Sequence, residues 1–254
     1  MHKTTAEAVE LINEIRAALS GDFAADVVVC PTFTALYTAS SALKDSGIKL
    51  GAQNMFWKDK GAYTGQISSS MLKDVGAEYV ILGHSEARGR FGVPEPDFTP
   101  EILSYFGESD STINRKTIAA LTAGLVPIVC VGETIDERNA GVTDRVVEEQ
   151  LTVALETIPS EETCKIVFAY EPVWAIGTGE VCDADEADRV CGVIRSTVAK
   201  LFDSATGETV RIQYGGSVKP NNAADLLSRP NIDGALVGGA SLSASDFAAI
   251  VMAA

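Results

Sequence analysis

The feature that most constrains this chain is a repeated alternation. Short, mostly apolar runs are each followed by a stretch with apolar residues at helical spacing. The runs are Val27–Cys30, Ile48–Gln53, Tyr79–His84, Val126–Val131, Ile166–Tyr170, Val210–Tyr214 and Gly234–Val237. Strands apolar on both faces belong to a parallel sheet covered by helices. The helical stretches are Thr5–Leu19, Thr34–Asp45, Ser68–Val75, Ser111–Ala123, Thr143–Thr157, Asp185–Leu201, Lys219–Leu227 and Ser243–Met252. In the first of them Ala8, Leu11, Ile12, Ile15, Ala18 and Leu19 share one face, behind Thr4 or Thr5 as N-cap. At 254 residues this α/β alternation favours a single (β/α) barrel domain over an open doubly wound sheet. The helices outnumber the strands by one and the chain opens on a helix. The expectation is therefore an eight-fold barrel whose first strand is missing from this sequence.

Composition narrows the function. A hydrophobic content of 46% with 22% charged residues suits a chain that buries a real core. No apolar run approaches the roughly 20 residues of a membrane helix, and the N-terminus has no signal-peptide core, so a cytoplasmic location is expected. A net charge of −15 argues against nucleic acid or an anionic membrane as partner. It also means that an anionic substrate needs strong local donors. Of the five cysteines, Cys30 and Cys130 lie inside strand runs, where a thiol is a small core residue. With His2 and His84 the only histidines, a zinc cluster is not expected. The proline-rich, acidic stretch Phe91–Glu101 separates the His84 strand from its helix. It reads as an insertion reaching about residue 105, with a short helix at Pro100–Tyr105.

The chemistry gathers around Ala169-Tyr170-Glu171-Pro172-Val173-Trp174-Ala175-Ile176-Gly177-Thr178-Gly179. A buried strand that ends on one carboxylate and runs into a glycine-hinged loop has the layout of a general base beneath a lid. In a barrel of this type the strand ends and the loops after them form the active face. His84, Glu171, Gly215-Gly216-Ser217 and Gly238-Gly239 all fall there. A strand-end histidine alone is more often structural, and loop glycines mostly serve turns. Their coincidence on one rim argues for a site. Backbone N–H groups of Gly177, Ser217, Gly238 and Gly239 form a candidate anion nest for a phosphate, with no cationic side chain required. An acid and an imidazole beside such a nest suggest proton transfer next to a carbonyl on a small sugar phosphate. As successive strand-end residues, His84 and Ser85 are expected to diverge and not to form a serine-nucleophile pair. Gly177-Thr178-Gly179 alone is too weak a signal for a dinucleotide.

These residues carry a resemblance. Together with Leu82-Gly83-His84-Ser85-Glu86, Val129-Cys130-Val131-Gly132-Glu133, Tyr214-Gly215-Gly216-Ser217-Val218 and Leu236-Val237-Gly238-Gly239-Ala240, the lid motif closely resembles the triosephosphate isomerase family, in order and over essentially the whole chain. The resemblance implies a (β/α)8 TIM barrel that interconverts dihydroxyacetone phosphate and D-glyceraldehyde 3-phosphate without metal or organic cofactor. It assigns Glu171 as base, His84 as neutral electrophile, and Gly177, Ser217, Gly238 and Gly239 as phosphate ligands. The family is an established example of pKa tuning, and the first two roles are taken over from it. It also implies a homodimer in which the Gly61–Gln66 loop inserts into a partner, with Thr64 near the partner's site.

The departures shape the expectations further. The family's first strand ends in an Asn-x-Lys pair, whereas this sequence opens Met1-His2-Lys3, and Lys3 is not a substitute for that lysine. Glu86, normally paired with it, is expected to be an uncompensated carboxylate. Without that cation the 254-residue chain is expected to be unstable and nearly inactive. Ala87 and Gln66 stand where arginine and glutamate are common, near the dimer loop, and Glu180 replaces a lysine at the lid's second hinge. The alternative to an isomerase is a barrel that binds sugar phosphate without turnover.

Overall fold

In the computed structural model, which describes residues 1–21 and 23–254, the seven apolar runs form one parallel sheet. Its strands are β1 (Val28–Val29), β2 (Lys49–Ala52), β3 (Tyr79–Leu82), β4 (Val126–Val131), β5 (Val167–Tyr170), β6 (Arg211–Tyr214) and β7 (Gly234–Ala235). Each pairs in parallel with the next in the chain, so sequence order and sheet order coincide. All seven expected strands are present.

The pleat sorts the side chains into two layers. Val129, Val131, Phe168, Tyr170, Ile212 and Tyr214 face outward and pack under helices with Ile113, Leu151 and Ile194. The alternate residues, Ile128, Cys130, Val167 and Ala169, join Tyr79 and Ile81 in a separate inner cluster. A second outer cluster joins Leu50, Ala52, Val80 and Leu82 to Ile12, Ile15, Phe247 and Val251. It binds the first helix, Thr5–Ala18, to the last, Ala244–Val251, so the ring of helices closes. The strands close less completely. No pairing joins β7 to β1 among the described residues, and both strands are only half-buried.

Where the helices differ from expectation, local chemistry supplies the reason. The stretch expected from Lys219 becomes helical only at Ala223, because the Asn222 side chain pins the preceding turn. Its Oδ1 accepts from the Lys219 N–H (2.7 Å) while its Nδ2 donates to the Ser217 carbonyl (3.0 Å). Short helices at Ile135–Asn139, Ser160–Thr163 and Ser204–Thr209 are too brief to show a period. The stretch after Phe91 does carry a helix, Pro100–Phe106, capped by Thr99 Oγ1. Among the described residues no helix is long and apolar enough to cross a membrane.

Candidate active site

Glu171 directly follows β5, and the backbone around it is held from both sides. Its N–H continues the ladder to the Val131 carbonyl (2.8 Å), and the Gly215 N–H donates to the Tyr170 carbonyl (2.7 Å). Gly132 passes so close that a Cβ there would lie 1.7 Å from the Glu171 carbonyl oxygen. A Cβ at Gly215 would lie 3.1 Å from Glu171 Cγ. The carboxylate that results is 1% exposed. Burial of this kind requires donors, and three converge on it. His84 Nε2 lies 2.9 Å from Oε1, the Ser85 N–H donates to Oε2 (2.9 Å), and Ser85 Oγ approaches Oε1 at 3.4 Å.

The expected divergence of His84 and Ser85 does not occur. Gly83 ends β3 with φ at 69°, a left-handed conformation that glycine adopts without strain, and this breaks the strand's alternation. Both side chains then reach the same carboxylate, and neither serves the other as a nucleophile pair. The Glu86 N–H donates to His84 Nδ1 (3.3 Å), which places the neutral imidazole's proton on Nε2, facing Glu171. Burial pulls the imidazole pKa down, but the hydrogen bond and charge of Glu171, aided by Glu86, outweigh it and leave it raised. Glu86 has no lysine or arginine partner among the described residues, as expected, but its side chain is 69% exposed, so the charge carries no burial cost. Lys3 is exposed, ahead of the first helix.

Beyond Glu171 the lid's root is buried and its tip is open. Val173–Ala175 forms a 3-10 turn, and the Trp174 indole N–H donates to Glu133 Oε1 (2.7 Å). Tyr170 OH donates to the same oxygen (3.2 Å), and the Arg138 guanidinium lies 4.0 Å from the Trp174 ring centroid. Burial raises the Glu133 carboxyl's pKa, against hydrogen bonds that lower it, and its Oε2 is buried without a partner. Gly177 and Gly179 adopt left-handed φ values of 72° and 87°, and residues 177–180 are exposed. Cys130, next to Gly132's strand end, is fully buried and its thiol pKa is driven up by burial first and by Glu171 second.

The glycine loops stand at the same carboxyl rim, after β6 and β7. A Cβ at Gly216 would lie 2.1 Å from Tyr214 OH and 3.0 Å from Pro172 Cγ, so the Ser217 loop leans on the lid's first hinge. Gly238 and Gly239 face open space, with no atom within 4 Å of a Cβ at either. The 3-10 turn Gly239–Leu242 follows, tied by Ser241 Oγ donating to the Gly238 carbonyl (2.6 Å). The contacts thus join Glu171 to His84 and set the Ser217 loop beside them, while Gly177, Gly238 and Gly239 remain exposed. Sequence reasoning missed Ser85 and Glu133 as contributors. Ser85 directly follows His84, which was singled out, and Glu133 follows the strand-end Gly132 of a motif noted only for its resemblance, and that position was the available signal.

A sequential parallel sheet ringed by helices, with a carboxylate and an imidazole in contact at its carboxyl rim, is the arrangement of a (β/α) barrel with a candidate site at that rim. A sequence model of triosephosphate isomerase matches residues 1–254. The chain is 50% identical to the triosephosphate isomerase of Moorella thermoacetica over 251 residues, covering 99% of this chain and 94% of that protein. It is 49% identical to that of Carboxydothermus hydrogenoformans and 48% to that of Citrifermentans bemidjiense, with the same coverage. The chain belongs to the triosephosphate isomerase family.

Proposed function

We propose that the chain interconverts dihydroxyacetone phosphate and D-glyceraldehyde 3-phosphate, with Glu171 and His84 as the catalytic pair. The observation that carries this reading is the 2.9 Å contact between His84 Nε2 and a nearly inaccessible Glu171. The Glu171 carboxylate takes a proton from the carbon beside the substrate carbonyl and becomes the acid. The electron pair of that C–H bond moves into an enediolate, whose oxygen receives a hydrogen bond from His84 Nε2–H. His84 Nε2–H then gives its proton to that oxygen and takes the proton of the neighbouring hydroxyl, while Glu171 returns the carbon-bound proton to the neighbouring carbon, so a new carbonyl forms, atoms balance and no redox partner is needed. N–H groups of Gly177, Ser217, Gly238 and Gly239 hold the phosphate. Closure of Pro172–Gly179 keeps water from the intermediate. On this reading Glu171→Gln lowers kcat by about 10²–10⁴-fold, the usual contribution of a general base. Solvent-deuterium incorporation into substrate falls with it. Incorporation at the parental rate in that variant would remove Glu171 from the mechanism.

The cytoplasm and a homodimer complete the proposal. The loop around Gly61–Gln66 is exposed, closed at its base by the Phe56 N–H to Ile67 carbonyl bond (2.8 Å), and stiffened by Tyr63 packing on Phe56 at 4.9 Å. A closed, protruding loop of this kind suits insertion into a second copy, with Thr64 at its tip. Sedimentation of the parent and of Thr64→Arg tests the assignment, and a monomeric parent overturns it.

The alternative is a sugar-phosphate binder without turnover. Phosphoglycolate binding without isomerisation would select this reading, and isomerisation would remove it.

A further inference from the structure

Gly92 lies in the Phe91–Tyr105 stretch and touches the lid. A Cβ built on it would stand 2.4 Å from the carbonyl oxygens of both Val173 and Ile176, and 3.2 Å from Thr178 Cγ2. Its own φ is not in the left-handed region, so its backbone is open to any residue. Only the approach of the lid demands glycine. The same contact is made a second time from the other side, since a Cβ at Gly177 would lie 3.9 Å from Val93 Cγ2.

The stretch is anchored well enough to bear on the lid. The Arg90 N–H donates to the Ser85 carbonyl (2.9 Å), and its guanidinium pairs with Glu137, which also accepts from the Thr134 N–H (2.7 Å). The rings of Phe91 and Phe98 pack at 5.0 Å and close the turn between them. One rigid path therefore runs from Ser85, which holds Glu171, to the lid.

We propose that Gly92 is a positioning residue for the lid, and that Phe91–Phe98 is a brace fixing where Pro172–Gly179 rests. Through that rest position the brace sets how the Gly177 N–H meets a phosphate. The proposal rests on the reading of Pro172–Gly179 as a lid over the substrate's phosphate. A side chain at position 92 meets two backbone carbonyls, which cannot rotate away, so the lid or the brace must shift by about 1 Å, a displacement that costs up to about 10²-fold at a catalytic site.

The test uses Gly92→Val and, because that variant can fail to fold, Val93→Ala, which only removes a half-exposed contact. Hydrogen exchange of the lid amides at residues 176–179 is read in ligand-free protein. KM and kcat are then compared for the triose phosphate and for the same triose without phosphate. Expected are about tenfold faster exchange in Gly92→Val, about threefold in Val93→Ala, and KM raised about tenfold for the phosphorylated substrate. Turnover of the unphosphorylated triose stays within about twofold, which a general structural defect does not allow. Tyr105→Ala, whose side chain is exposed, leaves lid exchange as in the parent. Lid exchange within about twofold of the parent in both variants overturns the brace. So do equal losses on the two substrates. Where the parent itself lacks isomerase activity, the functional reading fails and the exchange measurement still decides for or against the brace.

Discussion

Gly132 and Gly239 stand at the same rim for opposite reasons. Gly132 is a glycine because the Glu171 backbone fills the space a Cβ would need, 1.7 Å away. Gly239 is a glycine with nothing beside it. The first belongs to a half of the rim that is closely packed: Glu171 with His84 and Ser85, and Glu133 with Trp174, are in contact. The second belongs to a half left open. The carboxylate–imidazole contacts are thus made by the fold itself, whereas Gly238 and Gly239 stand on exposed turns.

The contrast breaks most readily at Gly132. Gly132→Ala overpacks a backbone contact that no side-chain rotation relieves, so a loss of about 3 kcal/mol in urea unfolding is expected, at the upper end for overpacking. A loss below about 1 kcal/mol would mean that the strand end is far more yielding than its contacts imply. Next comes Trp174→Phe, which strips the closest donor from buried Glu133 and costs about 1–3 kcal/mol; unchanged stability would show Tyr170 to be a sufficient partner. At the open half, Gly239→Ala is expected to leave stability within about 0.5 kcal/mol while raising KM about tenfold, equal to about 1.4 kcal/mol. An equal fall in stability would erase the distinction.

The smallest effect is in titration. Because its folded pKa is raised above 6.5, His84 lends stability that is fully present below about pH 6.5 and lost as pH rises through the folded value. NMR titration of His84 should therefore show a midpoint above 6.5 that drops in Glu171→Gln. A midpoint indifferent to that substitution contradicts the pairing.

Much of this was legible in the sequence, for physical reasons. Buried parallel strands must be apolar on both faces, so all seven could be read as runs, and their order predicted the rim on which Glu171 and His84 meet. Ser85 escaped that reading because the outcome depends on Gly83. A glycine permits a left-handed turn but does not compel one, and strand alternation argues the other way. The burial of Glu133 is hidden for a different reason. Its partners, Tyr170 and Trp174, come from some forty residues later, and no local pattern announces such a contact. The cost expected of Glu86 depends on burial, and burial is a property of the folded rim. The closeness of Gly92 to the lid is likewise invisible until both loops have positions.

The packing of Trp174 has an optical consequence. The chain has two tryptophans, and the other, Trp57, rests against Phe56 with ring centroids 4.0 Å apart. Trp174 instead sits between a carboxylate acceptor and a guanidinium, two groups whose fields act on an indole's excited state in a direction-dependent way. Any swing of the loop it roots changes that field. With Trp57 replaced by Phe, the protein carries a single fluorophore at the root of that loop, and the colour and yield of its emission report on the Glu133–Trp174–Arg138 packing without a label.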